Sequence, residues 1–151
     1  MRNGILLAAL AVVAAEGVAY ACSCMTTDNP VQLREFAGEA ASGAIALVDA
    51  EALTAFDGHG EQMKVHRTLA GTAPAKFQVQ RGPMASSASC DDLYQPGQRK
   101  IIILYPANAS AGSIPMYRTS GLCTNLLLDK PVYRDAVAAH IGGASPPGER
   151  G

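Results

Sequence analysis

Cysteine occurs at four positions only: Cys22 and Cys24 flank a single serine, and Cys90 and Cys123 lie far down the chain. In an oxidising compartment an even set of this kind reads as two disulfides. A Cys22–Cys24 bridge would close too tight a ring. Two pairings are left, and both fasten the N-terminal segment to distant chain. Loops of roughly 70 and 100 residues closed in this way contribute on the order of 4 kcal/mol each in the chain-entropy account. That is a large share of the stability of one small domain. With 5% aromatic residues and no tryptophan, the core is modest and gains from such staples.

The oxidising compartment is itself written at the N-terminus. Arg2 supplies a positive charge, Ile5 to Ala15 is an uncharged run, and Ala19-Tyr20-Ala21 is an A-x-A cleavage site. A helix over that run rises only about 16 Å, roughly half a bilayer core, so it is read as a signal peptide and not as a span. Cleavage after Ala21 makes Cys22 the first residue of the mature chain, secreted or periplasmic. A cysteine directly after the cut also raises a lipoprotein reading. The bulky Tyr20, where lipid attachment favours a small residue, argues against it. Removing 21 residues from 151 leaves 130, one domain's worth. We divide the chain into a signal peptide over 1–21, one domain over 22–141 and a flexible tail over 142–151.

The chain's 12 basic and 13 acidic residues are nearly balanced, with no clustered basic stripe, so no nucleic-acid partner is expected. Beyond the leader no apolar stretch approaches transmembrane length, so no membrane span is expected. Asp28 or Asn29 followed by Pro30 predicts a helix start, with Val31, Leu33 and Phe36 at near-helical spacing to about Ala41. Strands are predicted over 43–53, around Met63 to Leu69, over 77–80, over Lys100 to Tyr105 and over Ile114 to Thr119. Asp57-Gly58-His59-Gly60 and Gln95-Pro96-Gly97-Gln98 are turns between them, the second fitting type II. Pro131 to Ile141, with Val132, Ala136 and Ile141 apolar, predicts a terminal helix. Asn108-Ala109-Ser110 fits a glycosylation sequon. The expected class is all-β, a closed or partly open five-stranded barrel with a short N-terminal helix and a C-terminal helix, an arrangement that removes exposed strand edges.

Catalytic chemistry needs a nucleophile held against a base. His59, His66 and His140 are widely spaced and in no recognisable catalytic context. His66 is expected to face solvent from a strand, and His140 to interact with a helix C-terminus. The adjacent carboxylates Asp91-Asp92 point apart and are read as polar loop. No phosphate-cradling loop is found, and no cofactor is expected. We read the chain as not being an enzyme. Cys22, Cys24 and Met25 could instead be soft ligands for Cu(I), provided that the thiols stay reduced.

A Cys-x-Cys mature terminus, a five-strand barrel pattern and two later cysteines together resemble the tissue inhibitors of metalloproteinases and the wider netrin-like domains. The likeness covers roughly residues 22 to 141. It rests on Cys22-Ser23-Cys24, on the stretch Met63 to Gly71, on Cys90 followed by Leu93 to Gln98, on the strand Ile101 to Tyr105, and on Tyr117 to Cys123. The resemblance implies an OB-fold barrel and the pairings Cys22–Cys90 and Cys24–Cys123. It also implies inhibition of a zinc metalloprotease. The Cys22 α-amine and carbonyl would chelate the target's zinc, where the protease holds its catalytic water. Ser23 would enter the specificity pocket, with Cys24 and Met25 beside it. The chain would hold no metal of its own. An amine must be neutral to ligate and has a reference value near 7.7, so inhibition would weaken in acid. The animal inhibitors carry a third disulfide in this domain and a second cysteine-rich domain. This chain has neither, and the competing reading is a disulfide-stabilised envelope binding or structural module without inhibitory activity.

Overall fold

A computed structural model of the chain describes residues 24, 29–82, 85–86, 90–107 and 112–143. The leader, Cys22, Ser23, Met25, the sequon and the tail beyond Gly143 lie outside the described residues. Helix α1 (Pro30–Ala41) begins where Pro30 supplies a pre-set φ and the Asn29 side chain accepts the Val31 N–H at 2.9 Å. Five strands follow: β1 (Ala46–Ala52), β2 (Gln62–Gly71), β3 (Lys76–Val79), β4 (Arg99–Pro106) and β5 (Met116–Thr119). Two further helices end the domain, α2 (Leu122–Leu128) and α3 (Pro131–Ile141).

The strands close into a barrel in the order β1-β2-β3-β5-β4, with β4 pairing back onto β1. All neighbours are antiparallel except β3 and β5, which run parallel and are paired through Gln78–Met116 and Val79–Tyr117. Register shifts between Leu47 and Val48 and between Asp49 and Ala50 put two bulges in the long β1–β2 pair. Bulges add the local bend and twist that a small barrel needs in order to close. Gly60 makes closure possible at one end. It adopts φ +103, and a Cβ there would lie 1.9 Å from the Val79 carbonyl oxygen, so only glycine lets β3 approach so closely.

Apolar residues of β1 and β4 point both ways. Ala46, Val48, Ala50, Ile102 and Leu104 fill the barrel with Met63, Phe77, Val79 and Tyr94. Leu47 and Ile103, between them, pack outward against Ala37 of α1, Leu128 of α2 and Val137 of α3. Helices α1 and α3 meet through an edge-to-face contact of Phe36 and Tyr133, with centroids 5.4 Å apart.

The expected class is observed as a closed five-stranded mixed barrel with flanking helices. The predicted turns are present: the His59 N–H bonds the Asp57 carboxylate, and Gly97 takes φ +81 with Gln98 N–H bonded to the Gln95 carbonyl. Several expectations need correction. Helix α2 is an element beyond those expected from the sequence. The first strand begins at Ala46 and the last at Met116, later than predicted. Val31 and Val132 do not face the core but are 52% and 55% exposed; Ala37, Tyr133 and Val137 take those roles. No helix among the described residues is long and apolar enough to cross a membrane.

Candidate functional site

Cys24, Cys90 and Cys123 converge on one rim of the barrel. Cys24 is bonded to Cys123 in the first turn of α2, with Cα atoms 5.1 Å apart across 99 positions of sequence. Cys90 lies beside them, because its carbonyl accepts the Leu122 N–H. Of the two pairings open from sequence, Cys24–Cys123 belongs to the one that the resemblance implies. Its companion pair involves Cys22, which lies outside the described residues, as do Ser23 and Met25.

Helix α2 is held to the rim by buried polar groups. Asn125 is 2% exposed. Its amide nitrogen donates to Asp92 Oδ2 at 2.8 Å, to the Tyr94 hydroxyl at 3.2 Å and to the Ser120 carbonyl at 3.1 Å. Its Oδ1 accepts the Ser120 hydroxyl, which itself accepts the Ile103 N–H. Asp92 also takes both of its oxygens to the Lys100 ammonium, each at 2.7 Å. Next to this set Arg81 grips Glu61 with two nitrogens and the Asp92 carbonyl with one of them, while Glu61 accepts the Tyr94 N–H. Every buried side-chain polar atom among the described residues has a partner, which is what makes such a charged interior tolerable. Burial pushes the Tyr94 phenol up to about 12, so it stays neutral and able to donate at ordinary pH.

A cleft of about 450 Å³ opens beside the bridge, lined among others by Gln80, Arg81, Asp91, Arg118, Ser120 and Thr124. It adjoins a hollow of about 310 Å³ that shares Tyr105 and Thr124 and reaches Phe36 and Glu39 of α1. Tyr105 separates the barrel from α1 here, its hydroxyl donating to the Ala40 carbonyl and its ring facing the Arg118 guanidinium.

The sequence reading of Asp91-Asp92 as a polar loop is half right. The two carboxylates do point apart, Asp91 toward the Ser86 N–H, but Asp92 is 5% exposed and central to the buried set. No motif in the sequence singles out Glu61, Arg81, Lys100 or Asn125. A signal existed for two of them: Glu61 precedes Met63, and Lys100 precedes Ile102 and Leu104, at the inward phase of a period-2 strand. A charge in that phase at a strand mouth marks a buried partner. His66 is on the exposed outer face, its Nε2 2.6 Å from Glu51, and His140 is in the last turn of α3. On the same outer face Arg99 clamps Asp49 with two 2.7 Å bonds that hold its carboxyl below the ordinary value despite partial burial. Among the described residues no group of three His, Cys, Asp or Glu side chains is placed to hold a metal ion.

Compared with known proteins, the chain matches no family model, no curated protein and no solved structure.

Proposed function

We propose that this is an exported netrin-like protein with an OB-type barrel that inhibits zinc metalloproteases through a mature terminus at Cys22. The barrel order β1-β2-β3-β5-β4 with a single parallel pair is the order expected of an OB-type barrel. One observation carries the functional reading: Cys24 is bonded to Cys123 of α2, the helix that the buried Asn125 ties to Asp92 and Tyr94. A terminus fastened two residues behind its first atom to so rigid a rim loses little freedom on docking, which is what a chelating wedge requires. In this reading the Cys22 amine and carbonyl cap the target's zinc and Ser23 enters its specificity pocket, with Cys24 and Met25 alongside.

The bridge also bears on the copper alternative, since Cys24 in a disulfide offers no thiolate to Cu(I). The cleft beside the bridge favours a second reading, an envelope binding module whose cysteines only stabilise it. Extending the secreted protein by one alanine before Cys22 separates the two. Chelation predicts loss of inhibition of a zinc endopeptidase, with folding and disulfides intact. Equal inhibition by the extended and natural forms rules chelation out, and absence of inhibition by the natural form leaves the binding module.

A further inference from the structure

The buried set around Asn125 holds more chemistry than is needed to fasten a helix. Lys100 brings a primary amine, Asn125 a carboxamide, and Asp92 stands between them, bonded to the Lys100 nitrogen at 2.7 Å and to the Asn125 amide nitrogen at 2.8 Å. The amide's orientation follows from its partners: a carboxylate accepts only, so the nitrogen faces Asp92 and the oxygen faces the Ser120 hydroxyl. That hydroxyl is free to donate because it accepts the Ile103 N–H with a lone pair. The Lys100 ammonium also lies over the Tyr94 ring, 5.8 Å from its centroid, and both Asp92 and Asn125 are withdrawn from water.

We propose that Lys100 and Asn125 condense to an intramolecular isopeptide bond, with Asp92 shuttling the protons and Ser120 polarising the carbonyl. In this step a proton first passes from the Lys100 ammonium to the Asp92 carboxylate across their 2.7 Å contact. The freed amine attacks the Asn125 Cγ. The new C–N bond forms as the carbonyl electrons move onto Oδ1, where the Ser120 hydroxyl meets the developing charge. Asp92 protonates the amide nitrogen and receives the second Lys100 proton. The Cγ–Nδ2 bond then breaks and ammonia leaves. No oxidant or co-reactant is consumed: an amine and a carboxamide become a secondary amide and ammonia. The product ties β4 to α2 two residues from Cys123, adding to the disulfide a staple that reducing agents do not open.

The test is the mass of the full secreted chain after complete reduction, with fragment spectra of its digest. The expected result is a chain lighter than its sequence by one ammonia, about 17 Da, and a branched peptide joining Lys100 to Asn125. Lys100→Arg, which keeps a cation on Asp92, restores the sequence mass. Asp92→Ala, which leaves both reacting groups in place, does so too. A natural chain at the full sequence mass overturns the proposal whatever the variants do. So does a cross-link mapped to another pair, for example loss of water between Lys100 and Asp92. Neither outcome depends on whether the protein inhibits a protease.

Discussion

Arg81 sets two nitrogens on the carboxylate of Glu61, a residue with no exposure to solvent, and turns one of them also to the backbone carbonyl of Asp92. The pair joins the segment before β2 to the segment after β3 at the end of the barrel that carries Cys90 and the Cys24–Cys123 bridge. Arg81→Met removes the cation while keeping much of the side chain's bulk, leaving a buried carboxylate uncompensated. The expected cost is about 3–5 kcal/mol, read from urea unfolding of the oxidised protein. Replacing Glu61 by Leu in the same chain restores a large part of it. If the double variant is no more stable than the single one, the loss comes from packing and not from the stranded charge.

The Cys24–Cys123 bridge spans 99 positions, so replacing both residues by serine releases a long loop in the unfolded chain. A loss of roughly 4 kcal/mol is expected in the chain-entropy account. If the proposed inhibition of a zinc endopeptidase holds, it should fall further than stability does, because the terminus loses its anchor even in folded molecules. Measuring both quantities below the melting transition distinguishes the two effects.

Asp49 makes one limb of the acid stability curve. Its carboxyl sits below the ordinary 3.8, chiefly through the hydrogen bonds from Arg99. The unfolded chain therefore binds this proton more tightly than the folded one. The stabilisation is complete above that ordinary value and is lost as pH falls through the lower folded one. Asp49→Asn is expected to flatten stability against pH below about 4 while leaving the slope near neutrality unchanged. An acid limb as steep in the variant as in the natural chain would exclude this assignment.

Gly60 cannot be exchanged cheaply. A Cβ at φ +103 would meet the Val79 carbonyl oxygen at 1.9 Å, so Gly60→Ala combines a disfavoured backbone with a clash against β3. A loss on the order of 2–3 kcal/mol is expected. Gly97→Ala, which has positive φ but open space around it, serves as the comparison and should cost less.

Much of this architecture was legible. Asn29-Pro30 and Pro131 announce two helix starts through chemistry that acts locally. The run Ile101 to Leu104 announces a strand covered on both faces, and its alternate residues do divide between the barrel and the helices. Helix α2 was illegible for equally physical reasons. It has seven residues, Gly121 offers no side-chain cap, and Leu122-Cys123-Thr124-Asn125-Leu126-Leu127-Leu128 carries no clear period. It is ordered by the Cys24 bridge and by Asp92, contacts made with residues far off in sequence. Val31 and Val132 each fall in the first turn of their helix and are more than half exposed, so helical spacing alone does not tell that they lie off the core. The polar rim was missed because Glu61, Arg81, Asp92, Lys100 and Asn125 belong to five separate segments, and no spacing along the chain records that they meet.

The parallel pairing of β3 with β5 rests on two register positions, whereas β1 is paired along nearly its whole length on both sides. The barrel thus has a seam. With so few paired positions to hold it, this joint is expected to part first when the molecule breathes. Gln80 and Arg118, at either side of that joint, both line the cleft. Opening of the seam is therefore expected to widen the cleft, and amide exchange faster at 78–80 and 116–118 than along β1 would register how often it opens.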